Sequence, residues 1–168
     1  MNMKILVTLS LFLSCNNFAV AQDLDPENYT TANIYYHVGA VSGLGETIKY
    51  DLKKIGLSAP MDQEVIDTYE PIFKHAIERQ GIKYYREDDF LVTDMFPEER
   101  TAGKILLVLY KDDETLDAYL DVKRHKQKII ADGDYDLAAR REIATRFGKL
   151  LSYHDEQIEF FLKRSGLH

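Results

Sequence analysis

Residues 104–110 read "KILLVLY", and the fold class turns on how this run is read. Ile105 to Tyr110 are apolar without interruption, and Lys104 and Lys111 close the run at either end. A core-facing helix would repeat its apolar positions every three to four residues, and a strand with one wet face would alternate. An unbroken run of this length fits a central strand buried on both faces. Such a strand needs a neighbour along each edge and a cover over each face, so the rest of the chain has to supply them.

Two further strands are expected upstream. "NIYYHV" at 33–38 and "IKYYRE" at 82–87 are rich in aromatic and β-branched residues and are bounded by turn formers. "FLVTDMF" at 90–96 reads either as a fourth strand or as a loop. The covers are helical. "ETIKYDLKKIG" at 46–56 has Ile48, Leu52 and Ile55 at helical spacing, with Gly56 as a stop. In "MDQEVIDTYEPIFKHAIERQG" at 61–81, Val65, Ile66, Tyr69, Ile72, Phe73, Ala76 and Ile77 follow the spacing of a core-facing helix. Pro71 lies inside that pattern and predicts a kink or two abutting helices.

Past residue 111 the pattern is helical throughout. One helix is expected from Asp112 or Asp113 to about Ile130, and Gly133 closes it. A second starts near Asp136, with Ala139, Ile143, Ala144, Phe147 and Leu151 on one face. Ser152 and Asp155 form a capping pattern before a short last helix that Gly166 ends. Strands early and helices late give an α+β domain: a small sheet of three to four strands covered by helices, with a helix-rich C-terminal half.

The first 21 residues have the form of a cleaved secretory signal. Lys4 precedes an apolar core at 5–13, and Ala19-Val20-Ala21 supplies the small-x-small cleavage pattern, with Gln22 as the expected mature start. A competing reading would attach lipid to Cys15 in "FLSC". Cleavage removes Cys15, the chain's one cysteine, so the exported domain at 22–168 must be held by its core rather than by disulfides. A periplasmic or secreted location follows, and no stable membrane anchor remains. In a bacterial setting "NYT" at 28–30 is not expected to carry a glycan.

Charge narrows the partners. The chain has 21 Lys and Arg against 28 Asp and Glu. Loss of Lys4 with the leader deepens the net charge by one, to −8. Nucleic acids and anionic membranes select basic footprints, so both are set aside. "KRHKQK" at 123–128 is the single basic run and reads as a solvated helix end.

"YYHVGAVSGLGE" at 35–46 is the candidate for chemistry. Read as a strand-to-helix loop, Gly39, Gly43 and Gly45 could offer backbone N–H groups to an anion. Its spacing fits neither common nucleotide loop: Ile48 stands where the third glycine of G-x-G-x-x-G belongs, and no Lys-Ser or Lys-Thr follows. Ser42 lacks the nucleophile-elbow context because Ala40 precedes it by two. His37 and Ser42 are the catalytic candidates if the chain is an enzyme. "YYHVG" with the later "IGL" loosely resembles the opening of ADP-ribosyltransferases of the diphtheria-toxin type. That resemblance implies that Tyr36 and His37 meet a nicotinamide ribose. It departs from the family at Val38, which separates His37 from Gly39, and in the missing threonine.

No cofactor is expected. The five histidines are scattered, with no pair placed to grip one ion. Asp132, Asp134 and Asp136 in "DGDYD" match the first three ligand positions of a calcium loop, but Leu137 and Ile143 occupy the positions of its glycine and its glutamate. Carboxylates at 86–89 and 98–100 read as solvated charge. The abundance of tyrosine, 11 residues without a tryptophan, suits protein contact, because the ring is broad and its tip polar. Tyr35 and Tyr36, and Tyr84 and Tyr85, are adjacent on expected strands, so one of each pair should face outward. A protein-binding domain such as an immunity, inhibitor or accessory protein is the leading expectation. The alternative is an enzyme or small-ligand binder built on the Gly39–Gly45 loop.

Overall fold

The computed structural model describes residues 31–96, 101 and 103–166. The leader with Cys15, the "NYT" triplet and the carboxylates at 98–100 lie outside the described residues. The described elements run α1 (Thr31–Lys49), β1 (Ile55–Leu57), α2 (Gln63–Glu78), β2 (Lys83–Glu87), β3 (Leu106–Tyr110), α3 (Asp113–Asp132), α4 (Leu137–Leu150) and α5 (Asp155–Arg164). This is an α+β fold with its helices concentrated after the sheet.

β3 is the central strand, as the apolar run predicts. The sheet order is β1-β3-β2, and both neighbours run antiparallel to β3. All five β3 residues are buried. Their side chains alternate: Leu106, Val108 and Tyr110 enter one core with residues of α3, α4 and α5, while Leu107 and Leu109 enter the other with residues of α1 and α2. The absence of alternation in the sequence is thus the mark of two helical layers, because each pleat face meets its own. Met61 extends the β1 side by a single bridge to Ile105.

Local signals explain much of the helical layer. Asp112 caps α3 by accepting from the Thr115 backbone N–H at 2.8 Å, and Gly133 ends it in the left-handed region at φ 82. Asp136 caps α4 through the Ala139 N–H at 2.9 Å. α2 buries Val65, Ile66, Phe73 and Ile77 and continues through Pro71 as one helix. Pro71 lies on the solvent side, where water can take up the carbonyl it leaves unbonded.

Three expectations are corrected, and the choice of strand or loop at 90–96 is decided. Residues 33–38 are helical, as part of α1, and so is the whole of the supposed glycine loop. Gly56 does not stop a helix; it lies in β1, a three-residue strand that a helical reading of 46–56 conceals. Residues 90–96 form neither strand nor helix. The cap of α5 falls two residues later than expected. There Gln157 accepts from the His154 N–H at 2.9 Å, while Ser152 adopts φ 64 and accepts from the Lys54 N–H at 2.9 Å.

Candidate functional site

α1 carries the stretch singled out for chemistry, and its two sides differ sharply. Ile34, Val41 and Ile48 are buried at seven-residue intervals, with Val38 and Leu44 partly buried beside them. That stripe seals one face of the sheet together with α2. Gly45 sits in it because a Cβ there would lie 3.0 Å from Ile82 Cδ1 and 3.1 Å from the Gln80 amide. The same amide donates to the Ser42 carbonyl at 2.8 Å, tying α1 to the end of α2.

The other side of α1 faces solvent. Tyr35 is 73% exposed and Tyr36 62%, and Tyr50 is exposed immediately past the far end. Gly39, Ala40 and Gly43 lie between them and are exposed too. A Cβ on Gly39 or Gly43 would meet nothing within 4 Å. The result is a shallow strip of small residues, with tyrosine rings at its start and exposed Glu46 before Tyr50 at its end. A glycine in a helix interior is worth about 1 kcal/mol less than alanine, so neither glycine is there for the helix's own stability or packing.

This geometry removes the loop chemistry. Inside a helix the backbone N–H groups bond to carbonyls four residues back, so Gly39, Gly43 and Gly45 cannot form an anion cradle. His37 and Ser42 are five positions apart, about 140° round the helix axis, and so do not form a nucleophile–base pair. His37 is half-buried, which holds its pKa below the usual histidine range, and its ring meets Tyr36 edge-on at 5.7 Å. The transferase resemblance loses its premise as well, since Tyr36 and His37 close no strand.

Tyr84 and Tyr85 are also placed differently from expectation. Both are partly buried, on opposite sides of β2: Tyr84 packs with the α1/α2 core and Tyr85 with the other. The Tyr84 hydroxyl donates to Glu70 at 2.9 Å, and burial together with that bond pushes its pKa up to about 12. A sheet covered on both faces has no outward side for either ring to occupy. Asp132, Asp134 and Asp136 do not converge, for Asp136 is turned to its cap and the Asp134 N–H closes the α3 terminus on Ile129. Among the described residues no group of three His, Cys, Asp or Glu could hold a metal ion.

Sequence reasoning missed a buried polar cluster. Glu87, 1% exposed, accepts from the Tyr119 hydroxyl at 2.8 Å, from Lys123 Nζ at 2.8 Å and from the Asp89 N–H at 2.9 Å. Burial first, then the Glu87 charge, drives the Tyr119 phenol far above its ordinary value. The cluster is saturated by its own members, which is the condition of a structural network rather than of a reactive carboxylate. Its outer partners strap the 88–96 segment. Lys123 also donates to the Asp89 carbonyl, Lys126 to the Val92 carbonyl at 2.6 Å, and Arg140 pairs with Asp94. The basic run at 123–128 is therefore not a solvated helix end. Two of its lysines hold a loop, and the signal was their spacing of three on one face of α3.

No helix among the described residues is long and apolar enough to cross a membrane. Comparison with protein-family models, with curated proteins and with solved structures finds no match to this chain.

Proposed function

We propose that this chain is an exported protein-binding domain that engages its partner through the outer face of α1, in the manner of an immunity, inhibitor or accessory protein. One observation carries the reading: two tyrosines, 73% and 62% exposed, border a strip of exposed Gly39, Ala40 and Gly43 on a single helix. Tyrosine anchors are enriched where proteins meet, and small residues between them let another backbone come close. A partner helix laid along the strip fits this shape. Net charge −7 favours a neutral or basic partner and disfavours nucleic acid. Export rests on the leader at 1–21, and intact-mass measurement of the native protein tests it. A mature start at Gln22 is expected; an uncleaved leader would refute export, and a lipid on Cys15 would keep export but replace the unanchored domain with an anchored one.

Gly43→Leu separates partner binding from folding. A Cβ at this exposed position meets nothing within 4 Å and leucine favours the helix, so the melting temperature should hold or rise. Yet it fills the strip. With a photocrosslinking residue at Tyr36, wild type is expected to capture one defined partner in the native compartment. The Gly43→Leu and Tyr35→Ala variants should lose that adduct, while Phe160→Ala on α5 keeps it. An adduct of undiminished yield in Gly43→Leu would end the proposal.

A further inference from the structure

Beside β1, and lined also by Leu44 of α1, lies a cleft of about 470 Å³, within the size range of pockets that take small organic ligands. Leu57, Phe90, Phe96, Leu106 and Leu151 supply its apolar wall. Among the described residues, no carboxylate lines the cleft and one ammonium does, that of Lys53.

Lys53 is bonded differently from several other lysines of the domain. Lys83, Lys111 and Lys149 are paired with Asp113, Asp51 and Asp155. Lys53 donates to the Leu151 carbonyl at 3.0 Å and lies 5.2 Å from the centre of the Tyr153 ring, without a carboxylate partner among the described residues. An ammonium has three donors, so two are left over at the wall of an otherwise apolar space. Ser58, also on the wall, is engaged both ways: it donates to the Ala59 carbonyl and accepts from the Leu107 N–H, each at 2.9 Å. It adds no demand of its own.

We infer that this cleft binds a small amphiphile with an apolar body and an anionic head, the head resting on Lys53. The body would be held by the apolar wall, and a cationic head would meet the Lys53 ammonium and be rejected. The site is separate from the outer face of α1 and stands whether or not that face binds a protein.

Calorimetric titration of the purified protein tests it with decanoate, decanol and decyltrimethylammonium, each below its micelle concentration, against wild type, Lys53→Met and Leu57→Trp. Decanoate is expected to bind wild type and to lose about tenfold in affinity in Lys53→Met, the scale of one charge-assisted bond. Decanol should bind both alike, and the cation should bind least. Leu57→Trp, which fills the cleft, should abolish binding. Amide shifts in wild type should cluster at β1, Phe96 and Leu151, which fixes the location even if the tryptophan variant does not fold. Absence of decanoate binding at about 1 mM, equal decanoate affinity in Lys53→Met, or shifts elsewhere would each overturn the inference. So would tighter binding of the cation.

Discussion

The two faces of the sheet are packed by different means. Against α1 and α2 the core is nearly all aliphatic: Val41, Ile48, Met61, Val65, Ile66, Ile77, Leu107 and Leu109, with Phe73 as its buried phenylalanine. Against α3, α4 and α5 it is aromatic and polar. Phe147 meets Phe90 and Phe96 at 5.9 Å and Tyr119 at 6.0 Å, and the Glu87 cluster lies beside them. Aliphatic packing is weakly directional and tolerates repacking, whereas ring edges and buried hydrogen bonds admit one arrangement. The face that carries the proposed partner surface is thus held by volume, and the opposite face by geometry.

Paired truncations test that contrast most severely. Phe147→Ala and Phe73→Ala should each cost about 3–5 kcal/mol in denaturant unfolding. Only Phe147→Ala should also release the 90–96 segment, because Phe90 and Phe96 lose their shared ring. Amide hydrogen exchange across 90–96 would show this, and equal exchange in the two variants would erase the distinction.

Titration gives the next largest effect. Tyr119→Phe leaves a Glu87 oxygen without its donor inside the core and should cost about 2 kcal/mol at neutral pH. The same variant should resist alkali better. Folding raises the Tyr119 phenol above its ordinary 10.0, so above about pH 10 the folded chain holds a proton the unfolded chain has lost, and stability falls as pH rises. Lys123 acts in the same direction. Burial works to lower its pKa, but hydrogen bonding and the charges of Glu87 and Asp89 raise it above 10.5 overall. Its contribution is therefore present below that value and lost as pH climbs through the raised one. Urea midpoints from about pH 9 to pH 11 should fall less steeply in Tyr119→Phe than in wild type. Parallel slopes would show that Tyr119 is not the group responsible.

The smallest effect has opposite signs in the two regions. A Cβ at Gly148, on the aromatic side, would lie 2.8 Å from Ile158 Cγ1 and 3.3 Å from Met95 Sδ. Gly148→Ala should therefore destabilise by roughly 1–2 kcal/mol. Gly39→Ala and Gly43→Ala should each stabilise by roughly 0.5–1 kcal/mol. Melting curves of the three variants decide it, and loss of stability in either α1 variant would mean that the strip is already covered in the folded protein.

The central strand was legible because two-sided burial leaves an unbroken apolar run, and Asp112, Gly133 and Asp136 marked α3 and α4 by cap chemistry that acts locally. α1 was not read, for a physical reason. Ile34, Val38, Val41, Gly45 and Ile48 follow a four-three spacing, but the buried glycine breaks the apolar signal. Strand-favouring Tyr35 and Tyr36 and the exposed glycines then outweigh it locally. Packing on the sheet overrides that propensity. β1 has only three residues, too few to show a period. The cleft draws on α1, β1, the 90–96 segment, β3 and the residues after α4, so no contiguous motif could have announced it. Glu87 and Lys123 are 36 residues apart and meet only because β2 pairs along the edge of β3 and α3 packs over one face of the same sheet.

The strand order has a consequence for how the chain is made. β1 and β2 pair only with β3, yet β3 is the last of the three to leave the ribosome. Until residue 110 has emerged, β1 and β2 have no strand to pair with, although α1 and α2 already share apolar faces. The sheet therefore forms late, around a strand that both its partners precede, and its pairing waits until the first two thirds of the polypeptide have been made.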